Sequence, residues 1–227
     1  MTVRAIFFDF GGTLVVSDPD PFPAFRSIVG RTGIDVSRER YAEAERVVSA
    51  HLEPLRYGLL GRKPSFLDQI NIELLLELGI GDSDGALVAS LHEAYTSPDW
   101  RKPFPESVEV LETLQSSGIP VHLVSNSSDM LLEVIARRDW QRFFHSVTFS
   151  QEVGAEKPDR RVFEFALHRA GCDSAEVTHV GDTWEVDYLG AKRAGLRPIW
   201  LNRAGVSPPA PCEMIRDLAE VPRLLGI

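Results

Sequence analysis

Cysteine is nearly missing from this chain. Two occur in 227 residues, Cys172 and Cys212. They lie far apart and outside any Cys-x-x-Cys pair, so neither a disulfide framework nor a thiolate zinc site is expected. Long apolar runs are missing as well. None approaches the roughly 20 residues needed to span a bilayer, and the N-terminus enters a strand without the basic and apolar regions of a secretory leader. A soluble cytoplasmic protein that meets no membrane is expected. Cations are in deficit, 24 Lys and Arg against 33 Asp and Glu, giving a formal net charge of −9 and a pI near 5.2. Such a surface repels nucleic acid, which is excluded as a partner. A local site for a small anion stays compatible with the acidic whole.

What is present is ordinary globular composition, 44% hydrophobic and 25% charged, enough to bury a core. Short β-branched or aromatic runs at 4–9, 120–125, 146–150, 177–181 and 197–201 are bounded by Gly, Pro, Asn or Asp and read as strands. Helical patterns at 105–117, 128–138, 159–170 and 187–194 separate them. This alternation predicts an α/β fold with a parallel sheet covered by helices on both faces. Residues 17–102 break it. "SDPDPFP" leaves the first strand, helical patterns follow at 23–32, 38–52, 65–78 and 83–97, and "DWRKPFP" closes the segment. The segment reads as a helical insertion. The expected division is a core of 1–16 and 103–227, a helical domain of 17–102, and a surface loop at 205–213 before a short C-terminal helix.

Ligands of open parallel sheets sit beyond the carboxyl ends of the strands. The first strand delivers Asp9 there, from "FFDFGGTL". The second delivers Ser125 and Asn126, the segment after the third Lys157, and the fourth Asp182 with Asp187 from "GDTWEVD". Taken singly, each is a common turn, bend or helix cap. Together they converge three carboxylates, a lysine and a hydroxyl on one edge. A hard dication such as Mg²⁺ relieves the repulsion among the carboxylates, while Lys157 and Ser125 suit an anion facing it. That set fits phosphoryl transfer on a small phosphorylated substrate.

These residues, in this order, resemble the motifs of the haloacid dehalogenase-like hydrolase superfamily across nearly the whole chain. The first motif is Asp9 to Thr13, the second ends at Ser125, the third is Lys157, and the fourth is Gly181-Asp182 with Asp187. The resemblance implies a Rossmann-like core with the helical segment as a cap. It implies Asp9 as a nucleophile that forms an aspartyl-phosphate, with Ser125 and Lys157 as its catalytic companions. Mg²⁺ would be held by Asp9, the Gly11 carbonyl and Asp182, with Asp187 supporting the metal's water shell or orienting Lys157. Substrate contacts are expected from Gly12, Thr13 and Asn126. From the cap they are expected from Arg62 and Lys63 in the bend "GLLGRKPS", with His51 and Arg56 as weaker candidates. His122 and His179, inside strands, read as structural, and Trp184 either walls the site or packs its loop.

One position departs from the family's phosphatases, which read Asp-x-Asp-x-Thr. Their second aspartate protonates the leaving oxygen and then activates water. Here Gly11 stands in its place. Three readings stay open: a Mg²⁺-dependent phosphatase that is slow or favours good leaving groups or borrows an acid from the cap; a dehalogenase or a phosphonatase, the latter with Lys63 as the Schiff-base lysine; or a catalytically weak protein that binds phosphate and Mg²⁺.

Overall fold

The computed structural model describes residues 3–16, 19–52, 55 and 63–227. Six parallel strands form one sheet: β1 (Ala5–Phe8), β2 (Val121–Ser125), β3 (Ser146–Phe149), β4 (Val177–Gly181), β5 (Arg197–Leu201) and β6 (Met214–Ile215), in the order β3-β2-β1-β4-β5-β6. This is the expected α/β, Rossmann-like core. Every residue of β1, β2 and β4 is buried, as strands covered on both faces must be. Side chains alternate across the sheet. Ile6 and Phe8 enter one apolar cluster, whereas Ala5 and Phe7 enter the other.

The first cluster is closed by α5 (Ser107–Ser116), α6 (Met130–Arg137) and α10 (Glu220–Leu225), through Leu111, Leu114, Leu131, Ile135 and Val221. The second is closed by α8 (Arg160–Ala170) and α9 (Leu189–Arg193), through Val162, Phe163 and Ala191. The strand order reverses at β1. The chain steps outward through β2 and β3, then returns to place β4 on the other side of β1. That reversal opens a crevice at the carboxyl ends of β1, β2 and β4.

The helical segment comprises α1 (Phe22–Gly30), α2 (Arg38–Leu52), α3 (Phe66–Glu77) and α4 (Ala86–Thr96). Its apolar cluster is its own, from Phe22 to Tyr95, centred on Phe25, Leu75 and Leu91. Ser65 and Asp68 form a reciprocal capping box at the start of α3. Both Asp82 oxygens accept backbone N–H groups, of Leu87 and Val88, so α4 starts later than the expected residue 83. The two crossings between segment and core lie side by side: Val15 bridges Pro103, and Val16 N–H donates to the Lys102 carbonyl at 2.9 Å.

Three local expectations need correction. Ser150 leaves the third strand to begin α7 (Ser150–Val153). The helix expected from 187 begins with a π-helical turn, Trp184–Tyr188, before α9. β6 was not anticipated; its two residues pair with Trp200 and Leu201. No helix among the described residues is long and apolar enough to cross a membrane.

His92 on α4 ties the helical segment to the core. Its Nδ1 lies 2.7 Å from Asp68 Oδ1 on α3 and its Nε2 lies 2.7 Å from Glu133 Oε2 on α6. Arg137 bonds both Glu133 and Glu93 in the same network. Burial pulls the His92 pKa down, but the bonds to Glu133 and Asp68 outweigh it and hold the pKa above the ordinary value. A raised histidine pKa stabilises the fold fully below about pH 6.5 and ceases to do so as pH rises through the folded value. Asp68 and Glu133 are depressed, so their share is lost only as pH falls through their folded values. His92→Gln is therefore expected to cost about 1 kcal/mol at pH 6 and less at pH 9. Urea melts at the two pH values measure this; an equal loss at both would remove the charged form of His92 from the account.

Candidate active site

The apolar run of β1 stops at Asp9, whose backbone N–H donates to the Val180 carbonyl of β4 at 2.9 Å. Asp9 is 7% exposed, and its carboxylate meets Lys157, which is 3% exposed. The three protons of the Lys157 ammonium are all placed. Nζ donates to Asp9 Oδ1 at 2.7 Å, to Asp187 Oδ1 at 2.7 Å and to the Val124 carbonyl at 2.8 Å. Its backbone is fixed too. The Asn126 side chain accepts from Lys157 N–H at 2.7 Å and donates to the Lys157 carbonyl at 2.9 Å. Asn126 thus spends its amide on holding the lysine.

Asp187 comes from the π-helical turn. Its Oδ1 also lies 3.1 Å from His179 Nε2, and its Oδ2 accepts from Thr183 N–H at 3.1 Å. The carboxylate packs onto Gly181, where a Cβ would lie 2.3 Å from Asp187 Cγ. A second glycine does the same for Asp182. Gly12 has φ +80°, and a Cβ there would stand 2.2 Å from Asp182 Oδ2. Only glycine fits both the left-handed angle and the close carboxylate.

Three carboxylates face one lysine here, and the electrostatics follow from that imbalance. Burial pushes the Asp9 pKa up to about 7; Lys157 opposes the rise, while Asp187 and Asp182 add to it. Burial and Asp187 likewise raise Asp182. Asp187 goes the other way, because Lys157 and His179 outweigh its burial and hold it well below the usual carboxylate range. Burial works to lower Lys157, but Asp187 and Asp9 keep it raised, so it is a cation. Burial depresses His179; neutral, it can donate Nε2–H to Asp187. Oxygen atoms of Asp9, Asp182 and Asp187 lie within 4.8 Å of one another, a grouping that could hold a metal ion.

Above these residues is a cavity of about 330 Å³, walled by Asp9, Gly11, Ser125, Lys157, Asp182 and Arg101. Asn126 and Asp187 reach it as well. Seven of the anticipated residues thus meet at one place. Thr13 does not; it is fully buried, and its carbonyl accepts from Arg203 at 3.0 Å. Gly12 lies behind Asp182, on a neighbouring cavity. Lys63 is exposed and is not among the residues lining the cavity over Asp9. Arg62 and Arg56 fall outside the described residues. His51 pairs with Glu73 at 2.7 Å at the surface of the helical segment. Trp184 stacks on Tyr188 and meets Trp200 edge-on, which packs the loop of Asp187.

Arg101 is the residue that sequence reasoning missed. It follows the last helix of the insertion, and the return of the chain at Val15 and Pro103 carries it to the cavity. The one available signal was its place among basic residues at the hinge of an inserted segment.

A family model described as haloacid dehalogenase-like hydrolase matches residues 3–195. The chain is 30% identical to the glyceraldehyde 3-phosphate phosphatase of Methanopyrus kandleri, over 88% of its own length and 84% of that protein. It is 32% identical to the phosphoserine phosphatase of Thermus thermophilus, over 80% and 77%. The crystal structure of a 2-haloacid dehalogenase from Pseudomonas syringae superposes with a TM-score of 0.78 at 24% identity, each chain covered to 99%, a likeness of fold.

Proposed function

The chain belongs to the haloacid dehalogenase-like hydrolase family, and on that premise we propose that it is a Mg²⁺-dependent phosphatase using Asp9 as its nucleophile on a small phosphate monoester. The observation that carries this reading is Lys157 Nζ fixed at 2.7 Å from both Asp9 and Asp187, with Asp182 completing the acidic group. The phosphatases among its relatives support the substrate class.

The donor set fits a hard dication. It is all oxygen, and the Asp182 carboxylate has room only because Gly12 lacks a Cβ. Asp9 and Asp182 would hold the ion, with the Gly11 carbonyl beside them, while Asp187 is committed to Lys157. Bound Mg²⁺ would offset the mutual repulsion of the carboxylates and polarise a phosphoryl oxygen. The rest falls to the chain. Lys157 fixes Asp9 Oδ1, and so orients the carboxylate. An Asp9 oxygen attacks phosphorus, a P–O bond forms, and the ester P–O bond breaks with its electron pair leaving on the alcohol oxygen. Ser125 supplies a hydroxyl donor to the phosphoryl group. Water then attacks the aspartyl-phosphate, releasing inorganic phosphate and regenerating Asp9. The helical segment, residues 17–102, acts as the cap over this site, with Arg101, in the bend that leads back to the core, facing the anion.

Gly11 favours a second reading, dehalogenation, in which Asp9 would attack carbon and expel halide; the acidic group at Asp182 and Asp187 speaks for the first. A screen of phosphate esters, a phosphonate and a 2-haloacid, each with Mg²⁺ and with chelator, separates them. Phosphate release that stops with chelator is expected. Halide release indifferent to chelator would reverse the choice.

The metal assignment has its own test. Asp182→Ala is expected to weaken Mg²⁺ binding at least about tenfold, since one of the few protein ligands is lost. It should also raise the melting temperature of the metal-free protein, because one like charge leaves a crowded site. Calorimetric titration and thermal melts measure both, and unchanged Mg²⁺ affinity would take Asp182 out of the metal site.

A further inference from the structure

Helix α6 of the core meets the helical segment at three successive points. Glu133 lies 2.7 Å from His92, Arg137 donates to Glu93 at 2.6 Å, and Arg138, which follows the helix, reaches the turn where the segment ends. The Nη2 of Arg138 has two protons, and both are placed: it donates to the Pro98 carbonyl at 2.7 Å and to the Arg101 carbonyl. Nη1 donates to the Val134 carbonyl of its own helix at 3.1 Å. The charge on the donor makes such bonds stronger than neutral ones. One core side chain thus fixes both ends of residues 98–101.

The neighbours of Arg101 are anchored on opposite sides. Trp100 packs on Tyr95 of the segment, ring centroids 4.9 Å apart, while Lys102 and Pro103 pair with Val16 and Val15 of the core. Arg101 lies between them and lines the cavity over Asp9. Lys157 is the other cation of that lining, and its three protons already go to Asp9, Asp187 and the Val124 carbonyl. Arg101 is therefore the cation placed to meet an arriving phosphate. Arg138 also stands near enough for the charge of Arg101 to add to burial in lowering its pKa, against the pull of Asp99. That like charge disfavours a turn of Arg101 back toward α6, whereas an anion over Asp9 draws it forward.

We infer that Arg138 is a positioning residue: by holding the carbonyls of Pro98 and Arg101 it keeps Arg101 at the cavity, where Arg101 recognises the anionic group of the substrate. The inference rests on the phosphatase reading above and deepens it. It asks more of Arg138 than a tether between segment and core. Cutting a tether would cost stability, but the loss would not depend on the side chain at 101. A positioning residue loses its effect once Arg101 is gone. The loss should also fall on KM rather than kcat, because the charge that Arg101 meets is on the substrate before the reaction begins.

A mutant cycle of Arg101→Ala, Arg138→Gln and both together tests it, with Mg²⁺ present and thermal melts to establish folding. The readouts are KM and kcat for phenyl phosphate and calorimetric binding of inorganic phosphate. Arg101→Ala is expected to raise KM and weaken phosphate binding by about 10- to 100-fold, the effect of a lost hydrogen bond between charged groups. Arg138→Gln should do the same by about tenfold in the wild-type background and by less than about twofold beside Arg101→Ala. Arg138→Lys, which keeps a cationic donor for one carbonyl, should lose less than Arg138→Gln, and it carries the cycle if the glutamine variant does not fold. If phosphate binding follows this pattern but no ester releases phosphate, the positioning role stands and the phosphatase reading fails. The role is overturned if Arg101→Ala leaves KM and phosphate affinity unchanged, if Arg138→Gln lowers only the melting temperature, or if its loss is the same with and without Arg101.

Discussion

Asp9→Asn is expected to abolish turnover while leaving a folded, more acid-indifferent protein. The carboxamide keeps an oxygen that can accept from Lys157, but it is no nucleophile toward phosphorus. The second effect follows from the crowding of charge. Asp9 has a pKa pushed up to about 7, against about 3.9 in an unfolded chain. Between those values the folded state holds a proton that the unfolded state has released. The stability this group gives is full below about pH 4 and is lost as pH rises through 7, a change on the order of a few kcal/mol. Metal-free wild type should therefore lose stability across that interval, and the asparagine variant should lose much less. Saturating Mg²⁺ should flatten the wild-type slope as well, since a cation favours the ionised carboxylates. Phosphate-release assays and melts from pH 4 to 8, with and without Mg²⁺, measure all of this. Turnover retained by purified, folded Asp9→Asn would falsify attack by Asp9. A wild-type slope matched by the variant would remove Asp9 as the titrating group.

Much of this site was legible in the sequence because parallel topology does the gathering. Once residues 4–9, 120–125 and 177–181 read as buried strands, their carboxyl ends had to share one edge, so Asp9, Ser125 and Asp182 had to be neighbours. Lys157 and Asp187 followed from the segments after the third and fourth strands. Periodicity could not say where a side chain would turn next. Asn126 stood at the correct strand end, yet its amide closes on the Lys157 backbone. Gly12 and Gly181 carry no sign of the carboxylates that pack on them. β6 is two residues long, too short to show alternation. The π-helical turn that presents Asp187 looks like any helix start in sequence. Arg101 depended on a tertiary return, the pairing at Val15 and Pro103, which no local pattern encodes.

Gly11→Asp is expected to make the enzyme faster, and most of all on poor leaving groups. The wild-type position has no side chain to protonate a departing oxygen. A phenolate leaves as a stabilised anion and needs little help, whereas an alkoxide is strongly basic and needs an acid. Wild type should therefore cleave an aryl phosphate far faster than an alkyl phosphate of similar size. General acid–base catalysis contributes about 10²–10⁴-fold, so restoring the carboxyl should raise the alkyl rate by about 10²-fold and should also speed hydrolysis of the aspartyl-phosphate. The backbone permits the change. Gly12 has φ +80° and Gly11 is not among the positive-φ glycines. A Cβ built on Gly11 meets nothing within 4 Å, whereas one on Gly12 collides with Asp182. The position also lines the cavity beside Asp9, where an acid would have to stand. The cost is electrostatic. A fourth carboxyl joins three, so the variant should melt lower than wild type without Mg²⁺ and recover more when Mg²⁺ is added. Measuring kcat/KM for phenyl and benzyl phosphate in both proteins tests the catalytic claim, with melts in parallel. Equal wild-type rates on the two esters would mean that leaving-group protonation does not limit turnover, and the glycine would then be no deficit at all.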